Sequence, residues 1–132
     1  MSPQDPKVYA CLCCRDVGAA IRFLTRAFGF RELLAVPGDD GAIVHAELSL
    51  GSEVIMLGRP NAALAWASPV DGATTACMCV YVGDVDAHCE HARAEGATIL
   101  LEPHDTSYGT RGYGARDPEG HQWHFGTYRP QP

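Results

Sequence analysis

The sequence predicts an α+β fold: two tandem βαβββ modules whose curved mixed sheets surround a cavity. Hydrophobic patterning reads strand, helix, strand, strand, strand in each half of the 132 residues. Matching landmarks recur at a nearly constant spacing. Asp84-Val85 follows Asp16-Val17 by 68 residues, Gly96 follows Gly29 by 67, and Gly120 follows Gly51 by 69. The ends of the two halves also run side by side, Gly51-Ser-Glu-Val-Ile-Met-Leu-Gly-Arg-Pro beside Gly120-His-Gln-Trp-His-Phe-Gly-Thr-Tyr-Arg-Pro. One such half is too small to cover both faces of its sheet, so two halves belong to one domain spanning 1–132.

Residues 1–6 form a polar lead. Lys7 to Arg15 reads as a strand with Val8, Ala10 and Leu12 on one face and Tyr9, Cys11 and Cys13 on the other. Asp16 is a good N-cap; Val17, Ile21, Leu24 and Phe28 then recur at helical spacing up to Gly29. Strands follow over Phe30–Val36, Ala42–Leu50 and Glu53–Leu57, joined by the Pro37–Gly41 hairpin turn and by Gly51-Ser52. Module one thus covers about 7–60. Residues from about 61 to 72 read as a linker or lid with Trp66 as its large apolar anchor.

Module two covers about 73–128. Ala73–Val82 is a strand, with Ala76, Met78, Val80 and Val82 on the helix-packing face and Cys77, Cys79 and Tyr81 opposite. Asp84 caps a second helix that ends at Gly96. Ala97–Leu101 is a strand, Glu102–Gly112 a polar loop containing Tyr108, and Tyr113–Arg116 a short strand. Asp117-Pro-Glu-Gly is a turn with a mechanism: Pro118 presets φ, the Asp117 side chain can bond the backbone ahead of it, and Gly120 accepts positive φ. The turn launches a last strand in which Trp123 and His124 face opposite ways.

The formal charge is −6 and Lys7 is the one lysine, which argues against a nucleic-acid partner and suits a cationic or neutral small ligand. No apolar run is long enough for a membrane helix. The start, Met-Ser-Pro-Gln-Asp-Pro-Lys, lacks the basic-then-apolar pattern of a signal peptide, so the expected compartment is the cytoplasm. Five of the six cysteines lie within apolar periodic segments and Cys14 closes one, so all six read as free, buried thiols.

Three stretches carry a resemblance: Asp16-Val-Gly-Ala-Ala-Ile-Arg-Phe-Leu-Thr-Arg-Ala-Phe-Gly-Phe, Val80-Tyr-Val-Gly-Asp-Val-Asp-Ala and Asp117-Pro-Glu-Gly-His-Gln-Trp-His-Phe. From residue 7 to about 128 the chain resembles the vicinal oxygen chelate superfamily, which includes glyoxalase I, bleomycin-resistance proteins and extradiol dioxygenases. The resemblance implies a paired βαβββ fold and a homodimer. It implies that the metalloenzymes' ligand positions fall here on Tyr9, Ile55, Cys77 and His124. Divalent catalytic metals want His, Glu or Gln. Ile55 cannot bind a metal and Tyr9 is a poor ligand, so no metal and no cofactor are expected.

The candidate ligand-binding residues are therefore Tyr9, His45, Glu47, Trp66, Cys77, Tyr108, Tyr113, Arg116 and His124. His124 is a polar wall of the cavity, a metal ligand or a packing residue. His45 and Glu47 share a strand face and are either a general-base pair or a solvated edge. Trp66, Tyr108 and Tyr113 are read as aromatics rimming the concavity, and Arg116 as an anchor for an anionic group or a partner for a carboxylate. Cys11, Cys13, Cys77 and Cys79, on corresponding strands of the two halves, are small apolar lining or a thiolate site for a soft metal or an electrophile.

The function read from this is a small-molecule binding protein of the bleomycin-resistance type. It would sequester an antibiotic or secondary metabolite, aromatic or cationic, without a metal. The alternatives are a metal-dependent enzyme of the glyoxalase or dioxygenase type, its metal on His124 with His45 or Glu47, and a structural or regulatory subunit.

Overall fold

The computed structural model describes residues 5–132. The chain divides into two compact units between Ser68 and Pro69, inside the stretch read as a linker. Module one holds β1 (Cys11–Cys13), α1 (Val17–Phe28), β2 (Arg31–Pro37), β3 (Ile43–Leu50) and β4 (Glu53–Gly58). Module two holds β5 (Cys77–Tyr81), α2 (Val85–Ala94), β6 (Thr98–Asp105), β7 (Arg111–Arg116) and β8 (Gln122–Gly126). The two sheets have one topology, β1-β4-β3-β2 and β5-β8-β7-β6, each with its outer pair β1/β4 or β5/β8 parallel. The fold is the α+β tandem βαβββ architecture that the repeat predicts, with open sheets. Among the described residues no helix is long and apolar enough to cross a membrane.

Each helix starts on the aspartate that the sequence marks. The Asp16 carboxylate accepts from the Ala19 amide at 3.0 Å and that of Asp84 from the Ala87 amide at 3.1 Å, each satisfying a donor that the first turn leaves open. Gly29 ends α1 in the left-handed region at φ 79°, which costs a glycine little. Val17, Ala20, Ile21, Phe23, Leu24, Ala27 and Phe28 form the buried stripe of α1. In module one Leu12, Ala46, Leu48, Ile55 and Leu57 are buried with them. In module two Val85, Cys89 and Ala92 of α2 are buried, as are Tyr113, Ala115, Trp123 and Phe125 of the sheet.

Several bounds differ from the sequence reading. The first strand is only Cys11–Cys13, and Val8, expected on the helix side, is 93% exposed: the ladder to β4 begins at Cys11 and does not reach back to hold Val8 against the core. β6 runs on to Asp105, through the first part of the expected polar loop. Its late residues pair with β7 as far as Asp105 and Arg111, and the Thr106 and Thr110 hydroxyls close the hairpin at 2.8 Å. Polar side chains on an exposed edge strand hide the strand from a hydrophobicity pattern.

Module two is organised on Asp117, 7% exposed. Its Oδ1 accepts from the Glu119 and His121 amides, each at 3.0 Å, and its Oδ2 accepts from the Trp123 indole at 2.9 Å. Burial raises the Asp117 carboxyl above its usual range, while these donors pull the other way. Trp123, fully buried, lies near-parallel to Phe125 with ring centroids 6.2 Å apart. Phe125 stacks on Tyr113 at 5.2 Å and contacts His88 of α2 at 4.3 Å.

Replacing Asp117 with Ala leaves the indole N–H and two turn amides without this acceptor. The expected loss is about 2–4 kcal/mol, seen as a lower urea midpoint with an unchanged slope. His88 supplies a pH dependence. Burial first, and the His91 charge second, hold its imidazole below the ordinary value of 6.5. A group whose folded pKa is depressed favours the neutral form, so the stability it contributes is present above pH 6.5 and is lost as pH falls through the folded value. In urea unfolding at about pH 5 and pH 7, His88→Gln should show a smaller pH difference than the wild type.

Candidate functional site

The period of two along a strand sorts the side chains of each sheet between a helix side and an open side. In module one the open side carries His45, Glu47 and Ser49 of β3 and Val54, Met56 and Gly58 of β4. Glu47 lies opposite Met56 in the ladder, and His45 opposite Gly58. A pocket of about 210 Å³ opens there, lined by Pro6, Tyr9, Glu47, Val54 and Met56. The imidazole Nε2 of His45 donates to Oε2 of Glu47 at 2.9 Å, and both side chains are about one-third exposed. This contact fixes the direction of the carboxylate beside the pocket's apolar walls.

The loop after β4 turns back over the same side. Asn61 and Trp66 bridge each other, and Asn61 caps a single 3-10 turn, Ala62–Leu64. The ring of Trp66 lies over Gly58: a Cβ added there would stand 3.3 Å from two of its ring carbons. Further along, the buried Ser68 hydroxyl donates to the Cys13 carbonyl at 3.1 Å. Tyr9, His45, Glu47 and Trp66 thus share one face of one sheet. Pro6, Val54 and Met56 join them, which the sequence reading does not name; the alternation of β4 is the signal that finds the last two.

The register of β4 corrects the repeat. Cys11 pairs with Met56 in module one as Cys79 pairs with His124 in module two. The counterpart of His124 is therefore Met56, not Ile55, which is 8% exposed and turned to the core. The cause is turn length. Leu50 pairs directly with Glu53 across Gly51-Ser52, whereas Arg116 pairs with Gln122 across the five residues Asp117–His121. The two glycines hold different places in their turns, so aligning them shifts the strand by one residue and exchanges its faces.

In module two the open side carries Cys77, Cys79 and Tyr81 of β5, Gly112, Gly114 and Arg116 of β7, and Gln122 and His124 of β8. His124 rests against Gly114, where an added Cβ would come within 3.0 Å of its ring, and its Nε2 is 3.4 Å from the Gln122 amide oxygen. The Arg116 guanidinium lies beside Gly72. Tyr108 is 69% exposed at the tip of the β6–β7 hairpin, edge-on to Tyr128 with ring centroids 6.2 Å apart.

Tyr113 is a correction. It is 1% exposed and turned to the helix side, not to a rim. Its neighbours Gly112 and Gly114 take the open positions of β7, so the alternation sends Tyr113 inward. Its hydroxyl meets His88 Nδ1 at 2.6 Å, and burial pushes the phenol up. The same bond joins His88, half-buried beside Val85 and Ala92 on the sheet side of α2, to the strand. Cys11, Cys77 and Cys79 are exposed while Cys13, Cys14 and Cys89 are buried, so only half of the thiols are core.

The residues at the metalloenzyme positions do not fit a divalent catalytic metal. Module one offers Tyr9 and Met56 and module two offers Cys77 and His124, a set with one imidazole and no carboxylate. Among the described residues no three or more His, Cys, Asp or Glu side chains are grouped to hold an ion.

The family model described as Glyoxalase/Bleomycin resistance protein/Dioxygenase superfamily matches residues 8–125. An uncharacterised protein of Mycobacterium bovis is 32% identical over 126 residues, covering 92% of this chain and 83% of that one. Among solved structures, TioX from Micromonospora sp. ML1 is 34% identical with a TM-score of 0.70, over 96% of this chain and 99% of that one. A glyoxalase/bleomycin resistance protein/dioxygenase family enzyme from Burkholderia phytofirmans PsJN has the same fold, with a TM-score of 0.76 at 22% identity over 96% and 98% of the two chains.

The Trp66–Gly58 contact makes a testable statement about how the loop is held. Gly58→Ala should push the indole off the sheet, at a cost of about 1–3 kcal/mol in urea unfolding. It should also speed chymotryptic cleavage after Leu64 or Trp66 in the native protein; unchanged cleavage would mean that the loop is held elsewhere.

Proposed function

The chain belongs to the Glyoxalase/Bleomycin resistance protein/Dioxygenase superfamily, and we propose that it acts there as a metal-free binding protein of the bleomycin-resistance type. Its ligand is a flat, cationic antibiotic or secondary metabolite held on the open side of module one. The observation that carries this reading is the Glu47 carboxylate, oriented by His45 beside a pocket walled by Pro6, Tyr9, Val54 and Met56. A carboxylate at the edge of an apolar pocket favours a cation over a neutral isostere. The Tyr9 ring offers a face for stacking or for a cation, and the Met56 thioether adapts to irregular ring systems. A pocket of about 210 Å³ is smaller than most drug-sized sites. It accommodates one ring and its cationic substituent, and the rest of the ligand extends over the open face. Sequestration needs no reacting group, which agrees with a donor set unsuited to a catalytic divalent ion.

The test is calorimetric titration with a planar acridinium dye and with its neutral acridine counterpart at a pH where the latter is uncharged. The cation should bind at one site per chain, and Glu47→Gln should weaken it at least about tenfold through loss of a charge-assisted contact. Equal binding of the two dyes, or an unchanged Glu47→Gln, would overturn the reading. So would a stoichiometric divalent metal whose retention requires both His124 and Glu47.

A further inference from the structure

We propose that Cys77 and Cys79 form a two-thiolate site for a thiophilic d10 metal ion on the open side of module two. The two residues sit two apart on β5, both are exposed, and their sulfurs are 3.9 Å apart. Metal–thiolate bonds of about 2.3 Å place two sulfurs on one tetrahedral or trigonal centre roughly 3.8–4.0 Å apart. The pair already stands at that separation, so an ion enters without moving the strand.

The strand also keeps the pair from consuming itself. Residues two apart on a strand have Cα atoms about 6.6–6.8 Å apart, at the far end of the span that a disulfide accepts. β5 is held along its whole length by the ladder to β8, from Cys77 opposite Gln122 to Tyr81 opposite Gly126. Closing a disulfide would bend that ladder. Module one supplies the contrast. Cys11 and Cys13 have the same spacing on β1, but Cys13 is buried and its sulfur accepts from the Ser68 hydroxyl at 3.7 Å. In module one only Cys11 is exposed and its partner is buried and engaged; in module two both thiols are exposed.

Burial, and then the neighbouring Cys77, raise the Cys79 thiol above its ordinary range. A soft ion changes that balance: two S–H bonds break, two metal–sulfur bonds form, and two protons leave to solvent. Thiolates select soft ions over Mg or Ca. The chain supplies two donors here, and water or a small thiol completes the sphere. This site is independent of the ligand reading for module one.

Cadmium titration of the reduced full-length protein tests the assignment. The ultraviolet thiolate-to-cadmium band should saturate at one ion per chain, with about two protons released per ion in weakly buffered solution. Cys77→Ser and Cys79→Ser should each weaken binding about a hundredfold or more. Cys11→Ser should leave it unchanged, and the unfolding midpoint of each variant shows that the fold is kept. A band that survives in the Cys77→Ser/Cys79→Ser double variant, or one lost equally in Cys11→Ser, would overturn the proposal. So would Glu47→Gln reducing cadmium binding as much as Cys79→Ser does.

Discussion

A four-stranded sheet with one helix has one face to bury and one to leave open, and every other feature of each module follows from that. The stripe of α1 claims Ala46, Leu48, Ile55 and Leu57; α2 claims Tyr113, Ala115, Trp123 and Phe125. What alternation leaves on the other side is the material from which a site can be built. In module one that material is a carboxylate, an imidazole, a phenol and a thioether. In module two it is two thiols, an imidazole and a guanidinium. The same architecture, written twice, presents two chemistries.

The repeat and its caps were legible because they rest on local rules. An aspartate that satisfies the first turn of a helix, a glycine that ends one, and an alternating strand each have a signature within a few residues, and both modules show them. That His45 and Glu47 share one strand face was legible for the same reason. Register was not. Gly51 and Gly120 look equivalent, but they sit in turns of two and five residues, and only the strand pairing reveals that Met56, not Ile55, answers to His124. Tyr113 was misplaced because glycines on both sides of it hide which parity of β7 faces the helix. Val8 was misplaced because periodicity cannot say where a partner strand stops.

Buried polar groups in module two show how the helix side accommodates charge and hydroxyl. Asp117 is surrounded by donors that its own turn and strand provide, so its burial fixes the turn instead of merely destabilising it. Tyr113 and His88 satisfy each other across the helix–sheet boundary. Both arrangements tie a loop or a helix to the aromatic stack of Trp123, Phe125 and Tyr113. Module one packs Phe23 edge-on to Phe28 among aliphatic side chains, and folds a loop back over its open side.

The chain has two tryptophans, and they fall one to a module: Trp66 on a half-buried loop, Trp123 sealed in a stack and bonded to a carboxylate. Their optical environments differ accordingly. A rigid, hydrogen-bonded indole gives near-ultraviolet dichroism, while a half-exposed one answers to solvent quenchers. The molecule thus carries a separate built-in reporter for each half, and the order in which the two signals change on unfolding tells whether the modules melt as one body or in turn.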